Sequence, residues 1–188
     1  MIKFSSLKQA VKLVKDNKKL IFLMAGILLL MAMYGYFQPD VFKEQQEQLI
    51  DSIMTKIEGK NGIEITSFII FNNVRSAFFS ILFGITFFPI VDMVVNGYFI
   101  GAVLNSAVAK TSYFIVWRLI PHGIFEIPAI AIAAAFGIRI GLALFKKDRK
   151  KNIVNAYKEG FFVLVYVVIP LLMVAGVIEG ILFYLLNG

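Results

Sequence analysis

Residues 20–37 read LIFLMAGILLLMAMYGYF, an apolar stretch without a charged side chain. A helix that crosses the hydrocarbon core of a bilayer needs about 20 predominantly apolar residues. The stretch therefore predicts a transmembrane helix, and Tyr34, Tyr36 and Phe37 at its end match the aromatic belt of a membrane interface. Because this end offers no small-residue cleavage site, the stretch is not a cleaved signal peptide.

The rest of the chain has the same apolar character. Its 188 residues are 59% hydrophobic and 16% charged, whereas a soluble domain is close to half apolar and about a quarter charged. This excess is too large for one soluble core and predicts a protein embedded in a bilayer. The sequence has no cysteine, which excludes thiolate metal sites and thiol nucleophiles.

Four further stretches are long and apolar enough to cross a membrane. They are residues 67–90, 93–109, 122–145 and 161–186. Between the third and fourth spans, residues 113–120 are too short to cross and are expected to lie at the interface. We therefore predict an all-α, polytopic integral membrane helical bundle, with residues 1–188 forming one membrane domain of five transmembrane helices.

The charges between the spans predict the orientation. Residues 1–19 carry six basic groups against one acid, and residues 146–159 carry six against two. Residues 40–66 carry three basic groups against six acids. By the positive-inside rule the first two segments are cytoplasmic and the third is external. The expected protein is thus a multi-pass protein of the cell membrane with its N-terminus inside and its C-terminus outside.

Two of these segments have the spacing of amphipathic interfacial helices. The apolar positions of the basic arm (residues 1–19) are Phe4, Leu7, Val11 and Val14, and those of the external segment (residues 40–66) are Phe42, Leu49, Ile50, Ile53 and Ile57. The lipid bilayer is the expected partner of both, and docking of a protein partner is the alternative for the external one. Residues 146–160 are predicted to form a solvated basic loop, and nucleic acid is not expected to bind.

Polar side chains within spans are costly and usually face the interior of a helix bundle. At 1.5 Å per residue, the predicted topology puts Arg75 ~12 Å, Glu126 ~7 Å and Glu179 ~10 Å below the outer surface. We therefore predict one polar cluster in the outer half, with Arg75 paired to Glu126 or Glu179. Its candidate members are Asn72, Arg75, Asn105, His122, Glu126 and Glu179. Arg139 lies near the inner end and is expected to extend to the cytoplasmic interface.

Three roles are open for this cluster: hydrogen bonding between helices, a site for a ligand, ion or lipid headgroup, and catalysis. His122 and Glu126 share a face if both are helical. However, His122 is the only histidine of the chain, so neither a metal nor another cofactor is expected. Pro128 cannot donate a backbone hydrogen bond, so the helix either kinks there or begins there.

Small residues recur every four positions in two spans. Gly97 and Gly101 lie in the third span, and Gly137 and Gly141 lie in the fourth. This pattern lets helix backbones approach closely in lipid, either within one chain or between chains. Pro170 is expected to kink the fifth span.

The run PHGIFEIPA at residues 121–129 resembles the PHG-x-x-E-[LI]-P-A signature of the stage II sporulation protein M family. The motif residues are Pro121, His122, Gly123, Glu126 and Pro128. Asn72, Asn73 and Arg75 and the Asn96-Gly97 pair support the resemblance, which extends over residues 65–186. The resemblance implies a membrane scaffold, since the family's namesake recruits peptidoglycan-remodelling enzymes in spore-forming bacteria.

We therefore expect a non-enzymatic membrane scaffold or assembly factor, homodimeric and in contact with other membrane or envelope proteins. The alternative is a channel or transporter for an ion or small molecule through an outward-facing polar cavity. A third hypothesis is an intramembrane enzyme that uses Glu126 and His122.

Overall fold

The structure, a computed structural model, describes residues 6–110 and 115–187, and within these ranges it contains helices and turns but no strand. Its helices are α1 (Leu7–Asp16), α2 (Lys18–Phe37), α3 (Lys43–Ile57), α4 (Gly62–Leu82), α5 (Phe88–Lys110), α6 (Ile115–Ala143), α7 (Arg149–Val163) and α8 (Ile169–Asn187). Five are long and apolar enough to span a membrane: α2, α4, α5, α6 and the continuous α7–α8. The prediction of an all-helical chain with five such helices is confirmed.

Helix α6 lies at the centre of the bundle and packs against α2, α4, α5, α7 and α8. Five alanines between residues 129 and 135 are completely buried: Ala129, Ala131, Ala133, Ala134 and Ala135. Small side chains let several helices approach one axis. Further along α6, Phe136 and Ile140 fill a core shared with Ile81 of α4 and Leu172 of α8.

Helices α2 and α5 form the most extensive contact in the bundle. Their backbones meet at glycines: a Cβ atom on Gly35 would overlap the carbonyl oxygen of Tyr98, and one on Gly101 would overlap that of Ala32. Gly97 meets the carbonyl of Leu28 in the same way. The glycines of the third span therefore lie in a crossing within the chain.

A second close crossing joins α6 to the end of α4. A Cβ atom on Gly137 would overlap the carbonyl oxygen of Ser80, and one on Gly141 would lie 2.8 Å from that of Gly84. The glycine pair of the fourth span therefore also packs within one chain.

The turn between α4 and α5 lies earlier than hydropathy predicted. Helix α4 ends at Leu82 rather than Ile90, and α5 begins at Phe88 rather than Met93. Between them are a one-turn 3₁₀ helix, Gly84–Thr86, and Phe87 in the left-handed region at φ 57°. Most of the turn residues are apolar, so a hydropathy profile does not separate the turn from the flanking helices.

The basic segment 146–160 is not a loop, because α7 begins at Arg149. Its Ala156 and Gly160 are buried, and Ile153 and Tyr157 pack against the core. This spacing of three and four residues is the pattern of one helix face. The lysines around this face give the segment the composition of a solvated loop.

Helix α7 continues into α8 through a π-helical segment, Leu164–Val168. Pro170 is the second residue after this segment, and it lacks the N–H that an α-helix would direct to the carbonyl of Tyr166. A wider turn here is a typical accommodation of such a defect. The irregularity expected at Pro170 thus takes the form of a π segment just before it.

The two segments predicted to be interfacial contain helices α1 and α3. On α1, Ala10 is buried and Leu13 and Val14 pack on the core, whereas Leu7 and Val11 are exposed. Phe4 lies outside the described residues, as do the side chains of Leu49, Ile53 and Ile57 on α3. Residues 115–120 belong to α6 and not to a separate interfacial stretch, and residues 111–114 lie outside the described part.

Candidate functional site

One member of the predicted cluster, Glu126, joins α4 to α6 through Asn73, a residue outside the candidate set. Asn73 Nδ2 donates a hydrogen bond of 2.9 Å to Glu126 Oε1. Both side chains are half-buried, on helices that pack against each other. A charged or amide side chain within a membrane span is tolerated when another helix satisfies its hydrogen bonds. This bond therefore connects two transmembrane helices through the motif glutamate.

Arg75 does not form the expected ion pair. Its Nη2 donates to Asn72 Oδ1 at 3.5 Å, both side chains are exposed, and the described residues contain no ion pair between Arg75 and an acid. Helix α4 begins at Gly62, so Arg75 lies about 13 residues, ~20 Å, from the start of the helix. Counted from Ser67, where hydropathy begins the span, the same distance is only ~12 Å.

Glu179 lies beside the beginning of α4. Cβ atoms on Gly176 and Gly180 of α8 would overlap the side chains of Ile70 and Thr66, respectively. The two helices therefore run antiparallel, and Glu179 is level with the first turns of α4. Arg75 is about two helical turns further along, which places it beyond reach of Glu179.

Asn105 binds a different partner, since its Nδ2 donates a 2.9 Å hydrogen bond to the carbonyl oxygen of Tyr36. The last four carbonyls of a helix lack partners within the helix, and Tyr36 is in the last turn of α2. Asn105 thus caps α2 from α5 and does not join Glu126.

Tyr98, a neighbour of the Gly97–Gly101 pair, was missed as a polar residue. Its hydroxyl oxygen accepts from the amide of Phe42 at 3.1 Å and lies 3.0 and 2.9 Å from the carbonyl oxygens of Gln38 and Pro39. Its side chain is almost completely buried. A tyrosine between two packing glycines is the sequence signal that could have identified this contact.

The motif PHGIFEIPA lies within α6, which runs through both prolines without a break. Pro128 therefore does not begin the helix, and residues 121–127 do not form a loop. Gly123 is half-buried with only Ile127 near its Cβ position, and Pro128 is exposed. The side chains of Pro121 and His122 lie outside the described part. Among the described residues no cluster of three metal-ligating side chains occurs.

A second polar group lies at the start of α5. Asn96 Nδ2 donates to Asp92 Oδ1 at 2.7 Å and to the Asp92 carbonyl oxygen at 2.9 Å. Asp92 Oδ2 and Ser80 Oγ are buried and lack a hydrogen bond with ideal geometry. Asp92 was missed because hydropathy placed it between spans.

A third polar group joins α6 to α7. Arg139 forms an ion pair with Glu159, and its guanidinium lies 5.1 Å from the centre of the Phe136 ring. Arg139, which is expected to extend to the cytoplasmic interface, thus has an acidic partner on a second helix. The sequence does not predict this pair, because the basic composition of residues 146–160 indicates a solvated loop.

Comparison with known proteins gives a family and two relatives. A family model described as "Stage II sporulation protein M" matches residues 19–182. The chain is 27% identical to "Uncharacterized protein MJ0706" of Methanocaldococcus jannaschii, over 93% of this chain and 86% of that protein. It is 31% identical to "Uncharacterized protein MJ0793" of the same organism, over 59% of this chain and 66% of that protein. No solved structure matches the chain.

Proposed function

This chain belongs to the stage II sporulation protein M family, and we propose that it is a non-enzymatic scaffold or assembly factor of the cell membrane. In the proposed orientation the N-terminus is cytoplasmic and the C-terminus external, and α1 and α3 lie as amphipathic helices on the two membrane surfaces. The proposal assigns no reaction and no cofactor to the protein.

The observation that carries the proposal is the exposed polar pair Asn72–Arg75 near the middle of α4. A charged side chain at the centre of a bilayer costs at least ~2.5 kcal/mol when lipid surrounds it. A protein partner that covers this face removes the cost by supplying hydrogen-bond acceptors. Phe71, Phe78 and Phe79 are exposed beside the pair and offer apolar area to the same partner.

The other described polar groups of the spans support the proposal in a different way. Asn73 with Glu126, and Asn105 with the Tyr36 carbonyl, each join two helices of the chain. These side chains stabilise the bundle and leave the α4 face as the surface for association. We propose a second copy of the chain as the first partner, giving a homodimer, with other membrane or envelope proteins docking on the assembled pair.

Photo-crosslinking tests the proposal in intact membranes. We would replace Phe71 on the α4 face, and separately Phe22 on α2, with p-benzoylphenylalanine. The two side chains are 66% and 73% exposed, so Phe22 is a matched control. Position 71 is expected to give a protein adduct, at about twice the 21.1 kDa mass for a homodimer, and position 22 is not.

Arg75→Leu is expected to weaken this adduct, because it removes the polar group that the partner covers. Equal crosslinking from positions 71 and 22, or an adduct that Arg75→Leu leaves unchanged, would show that the α4 face contacts only lipid. Adducts of other masses would identify a heterologous partner and would contradict the homodimer.

A transporter is the alternative function, and one observation favours it. Asp92 Oδ2 at the start of α5 and Ser80 Oγ near the end of α4 are buried polar atoms, and ionisable groups inside spans commonly mark ion pathways. Under the scaffold proposal, Glu126→Gln keeps the fold and the position-71 adduct with only a loss of stability. Abolished flux in proteoliposomes with the fold intact would instead establish transport.

A further inference from the structure

A cavity of about 620 Å³ opens between the start of α2, the end of α6 and the beginning of α7. Four charged side chains line it: Lys19, Arg139, Lys146 and Glu159. The three cations come from three separate segments of the chain. They outnumber the one carboxylate, so the cavity carries an excess of positive charge.

Arg139 is only partly satisfied within this cavity. Its Nη2 is engaged by Glu159, whereas its Nη1 is buried and has no hydrogen bond in the described structure. An arginine presents its N–H groups as a fork that suits two oxygen atoms of one anion. The Nη1 group can therefore donate to an acceptor oxygen of a molecule bound in the cavity.

The two lysines add charge without a fixed partner. Lys19 and Lys146 are exposed, and neither forms an ion pair with an acid in the described part. Basic pockets between transmembrane helices bind phosphate-bearing lipid headgroups by this combination of charges. Because the three cations come from different segments, they surround one cavity and do not form a basic stripe along one helix.

The remaining wall of the cavity is mixed: Asn17, Asn152 and Asn155 contribute amide groups, and the other lining side chains are apolar. Leu23 of α2 and Leu142 of α6 contribute to the lining and are 57% and 45% exposed on the outside of the bundle. A polar pocket that continues into an exposed leucine surface fits a molecule with an anionic head and a hydrocarbon chain.

We propose that this cavity binds a phosphate group, presented by the headgroup of an anionic lipid or by a soluble phosphate ester. The phosphate oxygens accept from the Arg139 Nη1 side and are neutralised by Lys19 and Lys146. This inference does not depend on the scaffold role, and in the proposed orientation the site faces the cytoplasmic leaflet.

Native mass spectrometry of the full-length protein, released from micelles with phosphatidylglycerol or phosphatidylcholine, tests the site. We expect selective retention of phosphatidylglycerol. The double variant Lys19→Gln/Lys146→Gln should weaken its binding roughly thirtyfold. This factor corresponds to about 2 kcal/mol of binding free energy, the contribution expected of two lysines near anionic headgroups. Lys12→Gln/Lys151→Gln removes the same charge from exposed positions that do not line the cavity and should change binding less than about twofold.

A second variant, Arg139→Gln/Glu159→Gln, leaves the net charge unchanged and avoids a single unpaired charge in the bundle. It should also lose selectivity, because the donor fork is gone, and the thermal midpoint checks that it remains folded. If it is unfolded, the lysine pair and its control still decide the proposal.

Titration with sn-glycerol 3-phosphate, followed by thermal shift, distinguishes the two sources of phosphate. Stabilisation that the cavity variants abolish assigns a soluble ester. Lipid selectivity without such stabilisation assigns a headgroup. The site would be overturned if the cavity and control lysine variants lost phosphatidylglycerol binding equally. It would also be overturned if neither phosphatidylglycerol nor sn-glycerol 3-phosphate bound.

Discussion

The hydrogen bond between Asn73 and Glu126 is a local contact that ties the family motif to a second helix. Measured interhelical hydrogen bonds in membranes contribute between about 0.6 and 2 kcal/mol each. Glu126 accepts at 2.9 Å, so the motif glutamate contributes to the stability of the α4–α6 interface.

A double-mutant cycle measures this contribution. Asn73→Ala, Glu126→Ala and the double variant should give a coupling energy of ~0.5–2 kcal/mol, read from reversible unfolding in mixed micelles. The same cycle with Asn72→Ala in place of Asn73→Ala is the control and should give coupling near zero. Equal coupling of both asparagines to Glu126 would refute the assignment.

The identity of the partner shows where inference from sequence reaches its limit. Asn72 and Asn73 are adjacent, so they have almost the same depth, but they point about 100° apart around the helix. Depth therefore indicated that an amide and Glu126 were close, whereas the rotation of α4 decided that the amide is Asn73. Arg75 shares a face with Asn72 because the two are three residues apart. Neither side chain therefore faces Glu126.

Among the elements, the α2–α5 pair depends most directly on glycine. The backbones approach so closely at Gly35, Gly97 and Gly101 that any side chain would overlap a carbonyl of the other helix. This packing brings Asn105 to the Tyr36 carbonyl and Tyr98 to residues 38–42. The crossing therefore also fixes the segment that leads into α3.

Gly101→Ala is expected to destabilise the protein by ~1–3 kcal/mol or more, because the added methyl group forces α2 and α5 apart. The matched control is Gly26→Ala, since no atom lies within 4 Å of its Cβ position. That variant should be neutral or stabilising by up to ~1 kcal/mol through helix propensity. Unfolding in denaturant measures both, and similar values for the two variants would contradict the close crossing.

The elements themselves were partly predictable. A long uncharged run such as residues 20–37 permits few alternatives, and the span was placed almost correctly. The turn at 83–87 was not found because its phenylalanines satisfy the same hydropathy criterion as a span. Helix α7 was not predicted because its lysines lower the mean hydropathy of the segment more than the buried Ala156 and Gly160 raise it. The helical spacing of those two residues was nevertheless present in the sequence.

For the whole molecule, orientation is the main prediction that remains to be tested. The chain has no cysteine, so single cysteines can be introduced without background. Glu58→Cys, in the α3–α4 turn, should react with a membrane-impermeant maleimide in intact cells. Lys150→Cys, at the start of α7, should react only after permeabilisation. Both positions are exposed, and labelling in the opposite order would reverse the topology.

The pairing of α2 with α5 also has a consequence in time. Ribosomes add about 5–20 residues per second, so the roughly 65 residues from Gly35 to Gly101 take ~3–13 s to synthesise. Until α5 is synthesised, α2 lies in lipid with the glycine face that contacts α5 uncovered, although α4 is made before α5 and can insert first. Neighbouring nascent chains on one polysome present the same face, and α5 of one can pair with α2 of another. The speed of translation, as well as final stability, therefore determines how many chains assemble correctly.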